Sequence, residues 1–472
     1  MRSLLAALAL LIAPASLAQI AVPPDGGGAA PGADGPADHI TAEMRAEIQA
    51  DLDASAARLQ AEGLLPDPAT QRSRVPLLAW PLQNDSDDPG AHGISNFVDL
   101  NPAEGATQDY MCFSRTYDNG DYDHAGIDYF LWPFTWKKMD NQDVKIVAAA
   151  PGTILDKRDG NDDRACQWVS GAQWNAVYVR HDDGSTAWYG HMKKGSLTTA
   201  AVGSRVDTGD VLGSVGSSGI SSGPHLHFEL HDASGNIVEP YTGACNTGPS
   251  GWINQHPYRD TAINALATHS SGPQFGSCPT TQDTPNLDDA FDPGDNLTVA
   301  AYYRDQVSGE STLYEILDAS GETFKTWTHA SPQTYNASYW FWSYTIPSVT
   351  AEGVWTFRAT LNGQVAEHTF TVGNVSVATE QTPTAGYTLS AFAPNPSRGQ
   401  VQFTLSAAAS QTVRIRLLDA LGREVVPVFA SALAAGVDRQ LEIETASLPG
   451  GAYLVQIEGE TFQTVRPLTV AR

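Results

Sequence analysis

Apolar positions follow a helical rhythm near the start of the chain and a strand rhythm through the rest. In residues 41–61, Met44, Ile48, Leu52 and Leu59 recur at helical spacing, with Thr41 placed as N-cap and Gly63 as a stop. One amphipathic helix cannot bury itself. It either packs on the next domain or belongs to a prosegment removed on maturation. From 75 to 258, short β-type runs at 144–148, 176–180 and 186–189 stand between Gly and Asp turns, and Asp183-Gly184 marks a hairpin. Residues 285–373 read as an Ig-like β-sandwich with strands at 297–303, 312–317, 339–346, 354–361 and 366–372. Asn362-Gly363 joins the last two as a type I′ turn. A polar linker, 374–386, leads into residues 387–472, where Pro394-Asn395-Pro396 precedes three or four strands. The fold class is therefore mainly β: an antiparallel β-sheet domain (75–284), an Ig-like β-sandwich (285–373) and a small C-terminal β-sandwich (387–472).

Composition narrows the compartment and the partners. Residues 1–18 have the form of a secretory signal: Arg2, an apolar stretch from 4 to 13, and Ser16-Leu17-Ala18 before Gln19. Residues 19–74 then comprise a linker, Pro/Gly/Ala-rich and expected to be flexible at 22–37, and the helix. No later segment approaches 18 continuous apolar residues, so the reading is an exported chain without a membrane span. Acids outnumber bases 53 to 27, for a net charge of −26. That excludes nucleic acid and anionic membrane surfaces, which need clustered Lys and Arg. The excess is uneven, since residues 387–472 hold seven arginines and seven acids. Four cysteines without a CxxC pair leave no zinc finger. In an oxidising compartment they pair in one of three ways, and loop proximity favours Cys112–Cys166 with Cys245–Cys278.

Candidate chemistry concentrates between 124 and 231, which holds six of the twelve histidines. In His124-Ala-Gly-Ile-Asp128, a His and an Asp four apart can both point inward from a turn entering a strand, Gly126 letting the backbone bend. In Gly223-Pro-His225-Leu-His227-Phe-Glu229, strand alternation turns His225 and His227 to one face. Tyr189-Gly-His191 ends another strand. A catalytic zinc takes three protein ligands and keeps one open position, and neutral imidazoles beside it can take up a proton or steady a developing oxyanion.

These residues resemble the lysostaphin-type (β-lytic) zinc metalloendopeptidases, whose signatures stand here as HAGID, YGHM and GSSGISSGPHLHFEL over roughly residues 120–240. The resemblance implies an antiparallel β-sheet metallopeptidase domain with a zinc groove. It implies one catalytic Zn²⁺ held by His124, Asp128 and His227, with His191 and His225 catalytic. The implied activity is hydrolysis of peptide bonds in peptidoglycan or another extracellular peptide substrate. The alternative is a non-catalytic wall-binding or hydrolase-activating surface protein, a kind that typically lacks one or more ligands; none is missing here. Residues 387–472, with PNPSRG, DALGREV and LPGGAYLV, resemble the sorting domain of type IX secretion. That implies the type IX machinery as partner and an extracellular or outer-surface location.

Neighbouring features read as structural. His181 precedes Asp182-Asp183-Gly184 and is a turn residue, and His231 is assigned to a polar turn. Ser218, Ser221 and Ser222 in the Gly-rich loop either contact substrate backbone or form turns, and turn-forming is the reading taken. The carboxylate-rich loops at 118–123 and 159–163 lack EF-hand spacing and read as solvated. Phe130, Trp132, Phe134 and Trp136 either wall a substrate groove or pack against the sheet.

Overall fold

Alternation along the strand His225–His231 organises the first half of the molecule. Leu226, Phe228 and Leu230 enter a core shared with Ile127, Tyr129, Ile154, Val177, Val179 and Tyr189. His225, His227, Glu229 and His231 take the opposite face, as the two-residue strand period requires. The computed structural model describes residues 21–30, 39–65, 77–373 (without 120, 121, 168 and 170) and 387–470 (without 391, 393, 394, 396, 398, 419–422, 447, 460 and 461). The expected signal at 1–18 and the linker at 374–386 lie outside the described residues. The chain divides into two units after Asn374. Among the described residues, strands dominate and no helix is long and apolar enough to cross a membrane.

Seven antiparallel strands form the central sheet, in the order His92–Asn96, Ile127–Leu131, His225–His231, Thr186–Gly190, Ala176–His181, Gly152–Arg158 and Arg205–Val206. A small sheet of Leu82–Asn84, Val144–Val147 and Val211–Ser214 adds Leu82, Val144, Ile146 and Leu212 to the core beneath it.

The other face is covered by helix α1, Ala42–Ala61. The Thr41 hydroxyl accepts a hydrogen bond from the Met44 amide at 3.2 Å. At the far end Gly63 takes φ 73°, and the Leu64 amide returns to the Leu59 carbonyl at 2.8 Å. Met44, Ile48, Leu52 and Leu59 are buried in one cluster with Leu155, Ala176, Tyr178 and Trp188 of the sheet. Each such side chain contributes about 1.5–3 kcal/mol on burial. Most helical stability in proteins comes from packing of the apolar face, so docking is what holds it.

The sandwich in the same unit begins earlier than patterning suggests. Ala262–His269, ahead of 285, pairs with Asn296–Arg304 in a sheet completed by Ala337–Thr345 and Gly26–Ala29. Its facing sheet holds Ala290–Phe291, Gln364–Val372, Gly353–Leu361, Ser311–Leu317 and Thr323–Ala330, around Tyr314, Trp327, Trp342, Trp355 and Phe357. The alanines that weaken the strand signal at 262–269 have a packing reason. Ala265 and Ala267 lie in a cluster with Trp132, Phe134 and Tyr302, with Phe275 packed against it. Trp132 and Phe134 each lie 5.1 Å from the Phe275 ring, so of their two expected roles these aromatics fill the packing one. Within the supposed flexible linker 22–37, Gly26–Ala29 is a strand. A Cβ on Gly26 would lie 2.5 Å from the Phe341 ring, and one on Gly27 2.2 Å from the Tyr339 carbonyl. Those glycines serve close approach. Asn362 and Gly363 both have positive φ, 51° and 83°, as a type I′ turn needs.

The disulfides depart from the sequence expectation. Cys112 pairs with Cys245 and Cys166 with Cys278, across 133 and 112 residues. Short separation along the chain was a poor guide because the sheet brings distant loops together.

In the second unit, Tyr387–Leu389, Gln400–Ala407 and Arg439–Glu444 form one sheet, and Glu424–Leu433, Gln411–Leu418, Gly451–Gly459 and Gln463–Val470 another. Val401, Phe403, Leu405, Val413, Ile415, Val455 and Ile457 fill the space between. This is a small β-sandwich with more strands than the three or four expected.

Candidate active site

The central sheet sets His227 directly opposite Asp128 on one side and Gly190 on the other. His124 approaches from the turn before Ile127–Leu131, and His191 follows the end of Thr186–Gly190. His124 Nε2 lies 3.0 Å from Asp128 Oδ2, and His227 Nδ1 lies 3.0 Å from Asp128 Oδ1. His124, Asp128 and His227 each offer one ligand atom within 4.8 Å of the others. Ligands about 2.0 Å from a tetrahedral zinc stand roughly 3.3 Å apart, so the three donors fit that ion in spacing and in chemistry.

Partners on the far side of each ring fix which nitrogen faces inward. His124 Nδ1 donates to the Phe97 carbonyl at 2.8 Å, which turns Nε2 toward Asp128. His227 uses the other edge, its Nε2 lying 3.1 Å from Glu229 Oε2. Asn96 Nδ2 donates to Asp128 Oδ2 at 3.0 Å. His225 Nδ1 donates to the Gly223 carbonyl at 2.8 Å, leaving Nε2 3.8 Å from Asp128 Oδ1. His191 Nδ1 donates to the Ser218 carbonyl at 2.6 Å, and the two rings lie 4.3 Å apart. The His191 backbone is left-handed, φ 58°, a conformation that non-glycine residues rarely adopt and that clusters at functional sites.

Glu229 is the hub behind His227. Burial pushes its carboxyl up, but Arg45, His231 and hydrogen bonds from His227 and His231 outweigh burial and hold it well below the usual carboxylate range. His231 Nε2 meets Glu229 Oε1 at 2.5 Å, and the Arg45 guanidinium grips both carboxylate oxygens from α1. His231 is therefore no turn residue. It ends the strand and stacks on Trp188, 4.5 Å between rings. His181 also ends a strand, donating to Pro151 O at 2.9 Å, and is not among the converging donors.

All five sequence-selected side chains come together, and others join them that sequence reasoning passed over. Glu229 was visible as the next same-face position after His227. Asn96, Arg45 and Trp174, whose ring lies 5.2 Å from His191 and 5.9 Å from His227, carried no local signal. In the Gly-rich loop, Ser218 serves through its carbonyl, and Ser221 Oγ lies 3.4 Å from His225 Nδ1. Asp159 and Asp163 accept backbone amides of Gly195 and Lys194, tying their loop to the next.

An antiparallel sheet here converges two imidazoles and a carboxylate, with two more imidazoles alongside, a donor set suited to one metal ion. Residues 123–240 match peptidase family M23, and residues 391–471 match the secretion system C-terminal sorting domain. The chain thus carries a lysostaphin-type M23 peptidase domain and a C-terminal sorting domain. It is 35% identical over 124 residues to the DD-carboxypeptidase/endopeptidase Mpg of Neisseria meningitidis, covering 26% of this chain and 23% of that protein. It is 29% identical over 107 residues to the glycyl-glycine endopeptidase ALE-1 of Staphylococcus capitis, covering 22% of this chain and 24% of that protein. The chain thus spans about a quarter of the length of these curated relatives. Among solved structures, the lysostaphin catalytic domain from Staphylococcus simulans is 26% identical, covering 26% of this chain and 78% of that one, with a TM-score of 0.18.

Proposed function

We propose that this protein is an exported zinc-dependent endopeptidase that hydrolyses peptide bonds of peptidoglycan crosslinks. The observation that carries the reading is the convergence of His124 Nε2, Asp128 and His227 Nδ1, with His225 and His191 beside them. Bound zinc would supply a Lewis acid and lower the pKa of a coordinated water. His225 Nε2, its other nitrogen committed to Gly223, takes the proton released as the nucleophile attacks. As an imidazolium, held through Nδ1–H and presenting Nε2–H to the same space, His191 steadies the charge that develops on the carbonyl oxygen. Asn96 and Glu229 keep Asp128 and His227 in place throughout. The peptidoglycan-type bonds named for Mpg and ALE-1 support that substrate class. The sorting domain, with the signal-like 1–18, supports export through the type IX machinery to the outer surface or medium.

The test is metal content together with product analysis. One zinc per chain is expected, lost in His124→Ala. Purified peptidoglycan incubated with the intact chain, and with a form lacking residues 1–74, should yield new amino termini by mass spectrometry. Zinc bound without cleavage by either form would favour the non-catalytic wall-binding or hydrolase-activating reading.

A further inference from the structure

Three neighbouring strands set Arg180, Thr186 and His231 in one row across the central sheet, Thr186 standing opposite both others. Alternation turns Arg180 to the face of Ala176 and Tyr178, while Val177 and Val179 enter the core. With Trp188 the row lines a cavity of about 400 Å³, which Leu52 and Asp53 of α1 and the turn 232–235 enclose. Small-molecule sites begin at roughly 300 Å³. Arg180 Nε is buried and has no hydrogen-bond partner among the described residues. Buried polar groups are nearly always paired, and a guanidinium cannot shed its charge. The carboxylates nearby are engaged elsewhere. Asp183 Oδ1 accepts the Ser185 amide and hydroxyl at 2.9 and 2.6 Å. Asp232 Oδ1 accepts the Ser234 and Asn236 amides at 2.8 and 2.9 Å. Asp53, exposed, accepts Gln49 Nε2 through Oδ1 at 2.8 Å. Both ring nitrogens of His231 are taken, by Gly235 and Glu229.

We propose that this cavity binds a small zwitterion, a free amino acid or dipeptide, its carboxylate held by Arg180 and Thr186 and its ammonium by Asp53. Lining charges of both signs carry that choice. A plain anion would meet Asp53 and Asp232, and a plain cation would meet Arg180. The planar fork of a guanidinium matches a carboxylate in shape as well as charge. Burial lowers the pKa of Arg180 and the Asp53 and Asp183 carboxylates oppose it, so Asp53 acts on the guanidinium across the cavity without bonding it. Leu52 and Trp188 leave apolar surface for a small side chain. The cavity is four residues along the strand from His227, about 13 Å, and shares no donor with the His124, Asp128 and His227 set. Binding here therefore stands or falls separately from the peptidase reading.

The experiment is isothermal titration calorimetry of the intact chain, zinc-free and zinc-loaded. The probes are alanine and alanylalanine, with N-acetylalanine, alaninamide and inorganic phosphate for comparison. At least one of the two zwitterions is expected to bind, equally with and without zinc. N-acetylalanine and alaninamide, each lacking one charged end, should bind about tenfold more weakly than the zwitterion. Arg180→Gln should weaken the zwitterion by about the same factor. Asp53→Asn, at an exposed position, should abolish the preference for a free over an acetylated amino group. Circular dichroism confirms the fold of both variants, and Asp53→Asn decides the matter if Arg180→Gln fails to fold. No binding of either zwitterion would overturn the proposal. So would phosphate or N-acetylalanine binding as tightly as the zwitterion, which would make the cavity a simple anion site. Binding seen only with zinc would put the ligand on the metal and overturn it too, as would affinities that neither substitution changes.

Discussion

The imidazole of His227 occupies the space where Gly126 would carry a side chain. A Cβ built on Gly126 lies 2.6 Å from both Cε1 and Nε2 of that ring, and 2.9 Å from the Phe228 carbonyl. The glycine in HAGID is thus a matter of room rather than of backbone freedom.

Gly126→Ala is therefore expected to push the His227 ring off its line with Asp128 and Glu229. Overpacking of this kind costs about 1–3 kcal/mol. Zinc stoichiometry after dialysis and thermal melts of the zinc-free protein should both fall. Full zinc retention would show that the strand can shift to accommodate a methyl group.

The two histidines outside the donor set should separate metal binding from turnover. His225→Ala and His191→Ala are each expected to keep the zinc while lowering kcat by about 10²–10⁴, the usual span for a lost proton acceptor or oxyanion donor. Steady-state kinetics beside zinc analysis checks this. Loss of zinc in either variant would make that residue a ligand.

A pH effect on stability follows from Glu239, which accepts the Val98 and Tyr241 amides at 3.2 and 2.7 Å. Burial pushes its carboxyl from the ordinary 4.5 up to about 8. The unfolded chain ionises this group above about pH 4.5, whereas the folded chain keeps it protonated until about pH 8. Its contribution is therefore fully present below pH 4.5 and is lost as pH rises to 8, by up to about 1.4 kcal/mol per unit. Glu239→Gln retains an oxygen acceptor and removes the titration. Urea melts at pH 5, 6.5 and 8 should show the variant gaining on the wild type as pH rises, and a constant difference would contradict this.

Much of the site was legible because its geometry is local. A two-residue period turns His225 and His227 to one face whatever lies around them, and it carries Glu229 and His231 with them. His231 was nevertheless misread as a turn residue, because nothing in the sequence marks where that strand stops. The strand at 262–269 was missed for a related reason. Its alanines are poor strand formers, and they are required only because Trp132, Phe134 and Tyr302 lean on that surface.

Spacing, strand alternation and the motif residues were enough to single out five side chains that the fold places near one another: His124, Asp128, His191, His225 and His227. They settled the mainly β class as well, because both rest on interactions between near neighbours in the chain. The fold alone decided what surrounds that set. Asn96 reaches Asp128 from 32 residues away, and Arg45 reaches Glu229 from 184. The cysteines pair across more than a hundred residues, against the order that sequence proximity favoured. Such contacts leave no periodicity, since they are selected by the burial of a whole sheet face and of α1 upon it. The same five residues are buried in the folded chain.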